Sequence, residues 1–140
     1  MKRQDAKTPV LIEPDEELDR RAADVVDAAI EVHRVLGPGL LESLYEQALC
    51  LELQLRGVPF RRQVAIGITY KGTLIGEHRL DLLVAERLVV ELKAVEALMP
   101  VHGVQVRSYL KATRCILGLL INFNVPLLKL GIQRIILSYQ

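Results

Sequence analysis

Tryptophan is absent from this sequence, cysteine is scarce, and charge of either sign is nearly cancelled. The 140 residues hold two cysteines, and 18 basic against 17 acidic side chains leave a formal charge of +1. So even a balance gives no global attraction for polyanions, and any contact with nucleic acid must come from a local patch. Cys50 and Cys115 each lie in an apolar helical context. They read as reduced core thiols of a cytoplasmic protein, and neither a disulfide framework nor a metal-ligand spacing is expected. Long hydrophobic runs are also missing, since charges break every apolar stretch before membrane-spanning length. The start, Met1 to Lys7, lacks the apolar segment of a secretory signal. No membrane partner is expected.

What is present is a chain that is 51% hydrophobic and 25% charged, long enough for one domain with a real core. Residues 1–16 are polar, contain Pro9 and Pro14, and are predicted to form a flexible tail, leaving 17–140 as a single domain. Leu18, Ala22, Val25, Val26, Ala29, Ile30 and His33 keep helical spacing as far as Gly37-Pro38-Gly39. A second helix is predicted over 40–56, with Leu41, Leu44, Ala48, Leu51 and Leu55 as its apolar stripe. From Phe60 the period shifts to that of strands: 60–70, then a Lys71-Gly72 turn, then 73–84 and 88–95. Pro100 opens a third helix over 101–114, and strands follow at 116–123 and 131–138. The helical crossover allows the fourth strand to lie parallel to an earlier one. The expected class is α/β, a mixed sheet of four to five strands flanked by helices.

Within this pattern three ionisable residues interrupt apolar strands. If Ala85-Glu86-Arg87 is a three-residue hairpin loop, Val84 faces Leu88 and Asp81 falls opposite Glu91. Alternation then puts Asp81, Glu91 and Lys93 on one face, with Leu80, Leu82, Val84, Leu88, Val90 and Leu92 on the other. Two carboxylates on adjacent strands suit Mg²⁺, which takes hard oxygen ligands and keeps several waters. A neighbouring lysine is placed to orient water or balance charge on a phosphate. A structural salt-bridge cluster would produce the same spacing.

Two helical pairs add to the set. Glu42 and Tyr45 are three apart, and Gln105 and Tyr109 four apart, so each pair shares a helix face. Arg61-Arg62-Gln63, at the entrance to the first strand, is the candidate phosphate contact, whereas Arg107, Lys111 and Arg114 fall on a solvated face. Arg79 is expected opposite Lys93 if the second strand is regular. His102 lies one turn before Gln105, as a helix-start residue or a neighbour of the site.

In order, Gly39-x-x-Glu42-x-x-Tyr45, Asp81, Glu91-Leu92-Lys93 and Gln105-x-x-x-Tyr109 resemble the PD-(D/E)xK phosphodiesterase superfamily. More narrowly, the series is similar to the small bacterial and archaeal GxxExxY proteins. The resemblance implies a restriction-endonuclease-like fold and a nuclease that uses Mg²⁺ or Mn²⁺ on DNA or RNA. It implies that Asp81 and Glu91 ligate the metal, with the Leu92 carbonyl and Glu42 as further ligands. Lys93 would be the catalytic lysine, with Gln105 completing the site. Tyr45, Tyr109, Arg62 and Gln63 would support the site or contact nucleic acid. Leu80 stands where the motif's name has proline. The alternative is a catalytically inactive member of the fold that binds nucleic acid or protein. A homo-oligomer is compatible with the sequence but not specified by it.

Overall fold

A computed structural model describes residues 13–137. Most of the expected tail, residues 1–16, lies outside these residues. Asp15 caps the first helix by accepting from the Leu18 N–H at 2.9 Å, and Glu16 is already helical. Arg87 ties this cap to the second hairpin through two hydrogen bonds to Asp15.

The elements follow the expected order: α1 (Glu16–Leu36), α2 (Glu42–Leu55), β1 (Phe60–Tyr70), β2 (Thr73–Val84), β3 (Leu88–Lys93), α3 (Pro100–Thr113), β4 (Leu117–Asn122), a short 3-10 turn (Leu128–Gly131) and β5 (Ile132–Ile136). The sheet has five strands in sequence order, all antiparallel neighbours except the parallel pair β3 and β4. Crossover through α3 produces that parallel pair. Lys71 and Gly72 both adopt left-handed φ, the two-residue turn whose twist matches flanking strands.

Helices cover both faces. α1 and α2 pack Leu18, Val25, Leu49 and Leu53 against Leu82, Val90, Leu92 and Leu119. On the other face, Val106 and Leu110 of α3 pack against Leu80, Leu83, Val89 and Leu120. Gly118 allows this closeness, because a Cβ there would meet Val106 Cγ1 at 2.8 Å. Among the described residues no helix is long and apolar enough to cross a membrane.

Two expectations about faces are corrected. Leu80 does not lie with Leu82 and Val84; it packs on the α3 side, so alternation reverses at Asp81. The same reversal occurs in β1, where Phe60 touches the α1/α2 core while Val64, Ile66 and Ile68 pack on the α3 side. Gln63, at φ 52°, supplies the left-handed residue that turns the strand over. Arg79 therefore does not sit opposite Lys93. It pairs with Ala65 and donates to the Gln63 carbonyl.

The second correction concerns α2. Its buried side is Tyr45, Glu46, Leu49, Cys50 and Leu53, whereas Leu41, Leu44, Leu51 and Leu55 of the expected stripe are 48–74% exposed.

Candidate active site

The hairpin register is the expected one, with Val84 opposite Leu88, Leu83 opposite Val89 and Leu82 opposite Val90. Beyond Leu82 the strands part, while β3 continues to pair with β4 through Lys93. Glu91, Leu92 and Lys93 therefore lose their ladder partner on the β2 side, and a buried N–H without a partner is costly. Side chains fill the gap. Asp81 Oδ2 accepts from the Leu92 N–H at 2.8 Å, and Glu91 Oε1 accepts from the Asp81 N–H at 3.1 Å. Each carboxylate is thus fixed by the other strand's backbone.

Burial and mutual repulsion dominate the electrostatics. Glu91 is 5% exposed, and desolvation followed by the charge on Asp81 pushes its carboxyl up to about 8. Asp81 is also raised, by desolvation first and then by Glu46, against the Leu92 hydrogen bond, Lys93 and Gln63. Glu42, at the first position of α2, is raised by desolvation and by the charge on Asp81. Lys93 favours the ionised forms of all three carboxylates from beyond ion-pairing distance, since no salt bridge among the described residues includes it. The Lys93 carbonyl accepts from the Phe123 N–H at 2.9 Å, and buried Asn122 bonds both backbone groups of Val95, which fixes the chain on either side of the lysine.

The remaining predicted residues divide. Tyr45 is fully buried, which leaves it no surface for contact with nucleic acid. Its hydroxyl donates to the Gly37 carbonyl at 2.6 Å and accepts from the Leu40 N–H at 3.1 Å, and its ring stacks on Phe123. Those bonds hold the Gly37-Pro38-Gly39 loop that delivers Glu42. Arg62 and Gln63 are exposed but both bond to buried Glu46. Arg62 Nε donates to Glu46 at 2.6 Å, and Gln63 Nε2 bonds Glu46 at 3.0 Å and reaches Asp81 Oδ1 at 3.5 Å. Arg61 is bound to Glu86. Each side chain of the expected phosphate-binding run thus already has a partner within the protein, while all three remain exposed. Tyr109 faces the carboxylates, and its phenol is raised by desolvation and then by Glu91 and Asp81. Gln105 is exposed on α3 and makes no hydrogen bond among the described residues. His102 Nδ1 accepts from the Met99 N–H, as a helix-start residue.

Two residues near the site were not singled out from the sequence. Glu46 shares a helix face with Glu42 at four-residue spacing, which was the available signal, and its burial is a tertiary outcome. His78 stacks on Tyr109 with ring centroids 3.9 Å apart, and its Nε2 is buried without a hydrogen-bond partner among the described residues. Desolvation lowers its pKa. The strand reversal at Asp81 brings it there, and local spacing carries no sign of that.

Among the described residues no three His, Cys, Asp or Glu side chains form a ready metal cage. The donor chemistry nevertheless fits a hard divalent ion. Glu91 Oε2 and both Glu42 oxygens receive no hydrogen bond among the described residues, and Asp81 Oδ1 has only the long Gln63 contact. Magnesium needs only one or two carboxylates when water completes its shell.

A five-stranded mixed sheet flanked by helices is the architecture of the restriction-endonuclease-like α/β folds. The model of the PD-(D/E)XK nuclease superfamily matches residues 19–135, and the chain belongs to that superfamily. Neither a curated protein nor a solved structure matches it.

Proposed function

We propose that this chain is a nuclease of the GxxExxY type that hydrolyses phosphodiester bonds in DNA or RNA with Mg²⁺ or Mn²⁺, in the cytoplasm. The observation that carries this reading is the Asp81 and Glu91 pair. Both are held by backbone N–H groups, yet among the described residues neither carboxyl has a cation within ion-pairing distance. Asp81 and Glu91 would hold the ion, with the Leu92 carbonyl and Glu42 as further donors. When bound, a divalent ion supplies an acidified water and polarises a phosphoryl oxygen. Lys93 orients that water and offsets charge building on the phosphate. Gln105 and Tyr109, on one face of α3, meet the nucleic acid beside the carboxylates. Fixed backbone anchors matter because they let the acids keep position through the reaction.

The test is cleavage of mixed DNA and RNA substrates with Mg²⁺ or Mn²⁺, together with Mn²⁺ binding by calorimetry. Asp81→Ala and Lys93→Ala should each lower the cleavage rate by at least about 10³-fold, and only Asp81→Ala should abolish Mn²⁺ binding. Wild-type rates in both variants would refute the assignment. Mn²⁺ binding without cleavage of any substrate would instead favour the inactive-module reading.

A further inference from the structure

We propose that α2 is the interface of a two-fold dimer of this chain, formed by the helix face turned away from the carboxylate site. Leu41, Leu44, Ala48, Leu51 and Leu55 follow one another at intervals of three, four, three and four residues. That is the spacing of a helix–helix seam, in which side chains of one helix enter depressions on another. A helix needs only one apolar stripe to join a core, and α2 already buries Tyr45, Leu49 and Leu53 for that purpose. The seam is a second stripe. Ala48, the small residue at its middle, lies between two depressions, one walled by Leu40 and Leu44 and the other by Val32 and Val35.

Area and charge both select a second copy as the occupant. With Val35, Leu36 and Leu40, the exposed parts of the seam leucines present on the order of 450 Å² of apolar surface. One side of a standard interface, about 800 Å² at roughly 60% non-polar, contains about that much. Among the described residues, Arg62 is the one charged residue lining the larger depression, and it is already bound to Glu46. At the rim, Glu31 pairs with Arg34 and Glu52 with Arg56, each at 2.7 Å. Among the described residues, the charges lining the larger depression and these rim pairs are therefore already answered, which leaves little for phosphate or for an acidic or basic peptide. The face fits a neutral, leucine-rich helix, and the same face of another copy supplies one.

Sedimentation equilibrium on the full chain, from about 1 to about 100 µM, reads the mass directly. The wild type should approach twice its 15.7 kDa. Leu51→Glu and Leu55→Glu lie on the surface of the single copy, so each should keep the wild-type circular dichroism. Each should also weaken dimerisation by roughly 100-fold or more. Leu74→Glu, an equally exposed leucine on the β1–β2 hairpin, should remain dimeric. A monomeric wild type at the highest concentration overturns the proposal. So does a folded Leu51→Glu and Leu55→Glu pair that still dimerises, or a Leu74→Glu chain that dissociates.

Discussion

Two glutamates are buried to nearly the same degree, Glu46 at 6% and Glu91 at 5% exposure, and they sit in opposite circumstances. Glu46 receives Arg62 at 2.6 Å and Gln63 at 3.0 Å, so its charge is answered within the protein. Glu91 receives one backbone N–H and faces another carboxylate. Burial of a charge is costly unless it is paired, and the two corners show the two outcomes. The Glu46 corner is finished and serves the structure. The Glu91 corner has no cation within ion-pairing distance among the described residues, and under the proposed function it would receive one from outside.

The comparison breaks most directly through opposite signs of stability change. Arg62→Ala leaves Glu46 buried without its cation and should cost about 2 kcal/mol, below the usual figure for a buried pair because the arginine is partly exposed. Glu91→Gln removes a repelled charge while keeping an oxygen to accept from the Asp81 N–H. It should stabilise the metal-free protein at pH 8 by roughly 1–3 kcal/mol while abolishing cleavage. Urea denaturation of both variants checks this, and the same sign in both would remove the distinction between the corners.

A pH series sharpens the same contrast. The Glu91 carboxyl holds its proton up to about 8 in the folded chain against 4.5 in its ordinary state, and Asp81 and Glu42 shift in the same direction. The folded state therefore binds more protons than the unfolded one across that window. Metal-free stability is fully present below about pH 4.5, falls as the pH rises towards 8, and levels above it. The exposed carboxylates that arginines hold low, Asp15, Glu31 and Glu86, lose their contribution only below that window. Thermal unfolding should show the decline without metal, a flatter profile in Glu91→Gln, and recovery on adding Mn²⁺ that is larger at pH 8 than at pH 5.

Local patterns explain how much of this was legible beforehand. Periodicity, the Lys71-Gly72 turn and the three-residue hairpin loop specify element order and the Val84–Leu88 register, because each acts over a few residues. The reversal at Gln63 and Asp81 is not local. It arises where β2 leaves β3, so neither the face of Leu80 nor the approach of His78 to Tyr109 follows from alternation. α2 defeats periodicity for another reason, since it carries two leucine-containing stripes and spacing cannot say which one the domain buries. Glu46, similarly, is an ordinary helix glutamate until the bent first strand brings Arg62 and Gln63 to it.

The smallest expected effect tests how the loop before α2 serves the open corner. Tyr45→Phe keeps the ring against Phe123 and removes only the hydroxyl, which bridges the Gly37 carbonyl and the Leu40 N–H. Loss of that bridge should cost about 1 kcal/mol. Amide exchange at Leu40 should accelerate, because its N–H loses its acceptor, while exchange in β3 stays slow. The bridge also holds the chain just ahead of Glu42, so a looser loop lets that carboxylate wander from Asp81. Cleavage should then fall a few-fold through kcat, with KM little changed, since Tyr45 is too deeply buried to meet substrate. A rise in KM at constant kcat would show instead that the loop itself touches the nucleic acid. An unchanged kcat with faster Leu40 exchange would mean that Glu42 lies outside the reacting geometry. The open corner would then consist of Asp81, Glu91 and Lys93 alone.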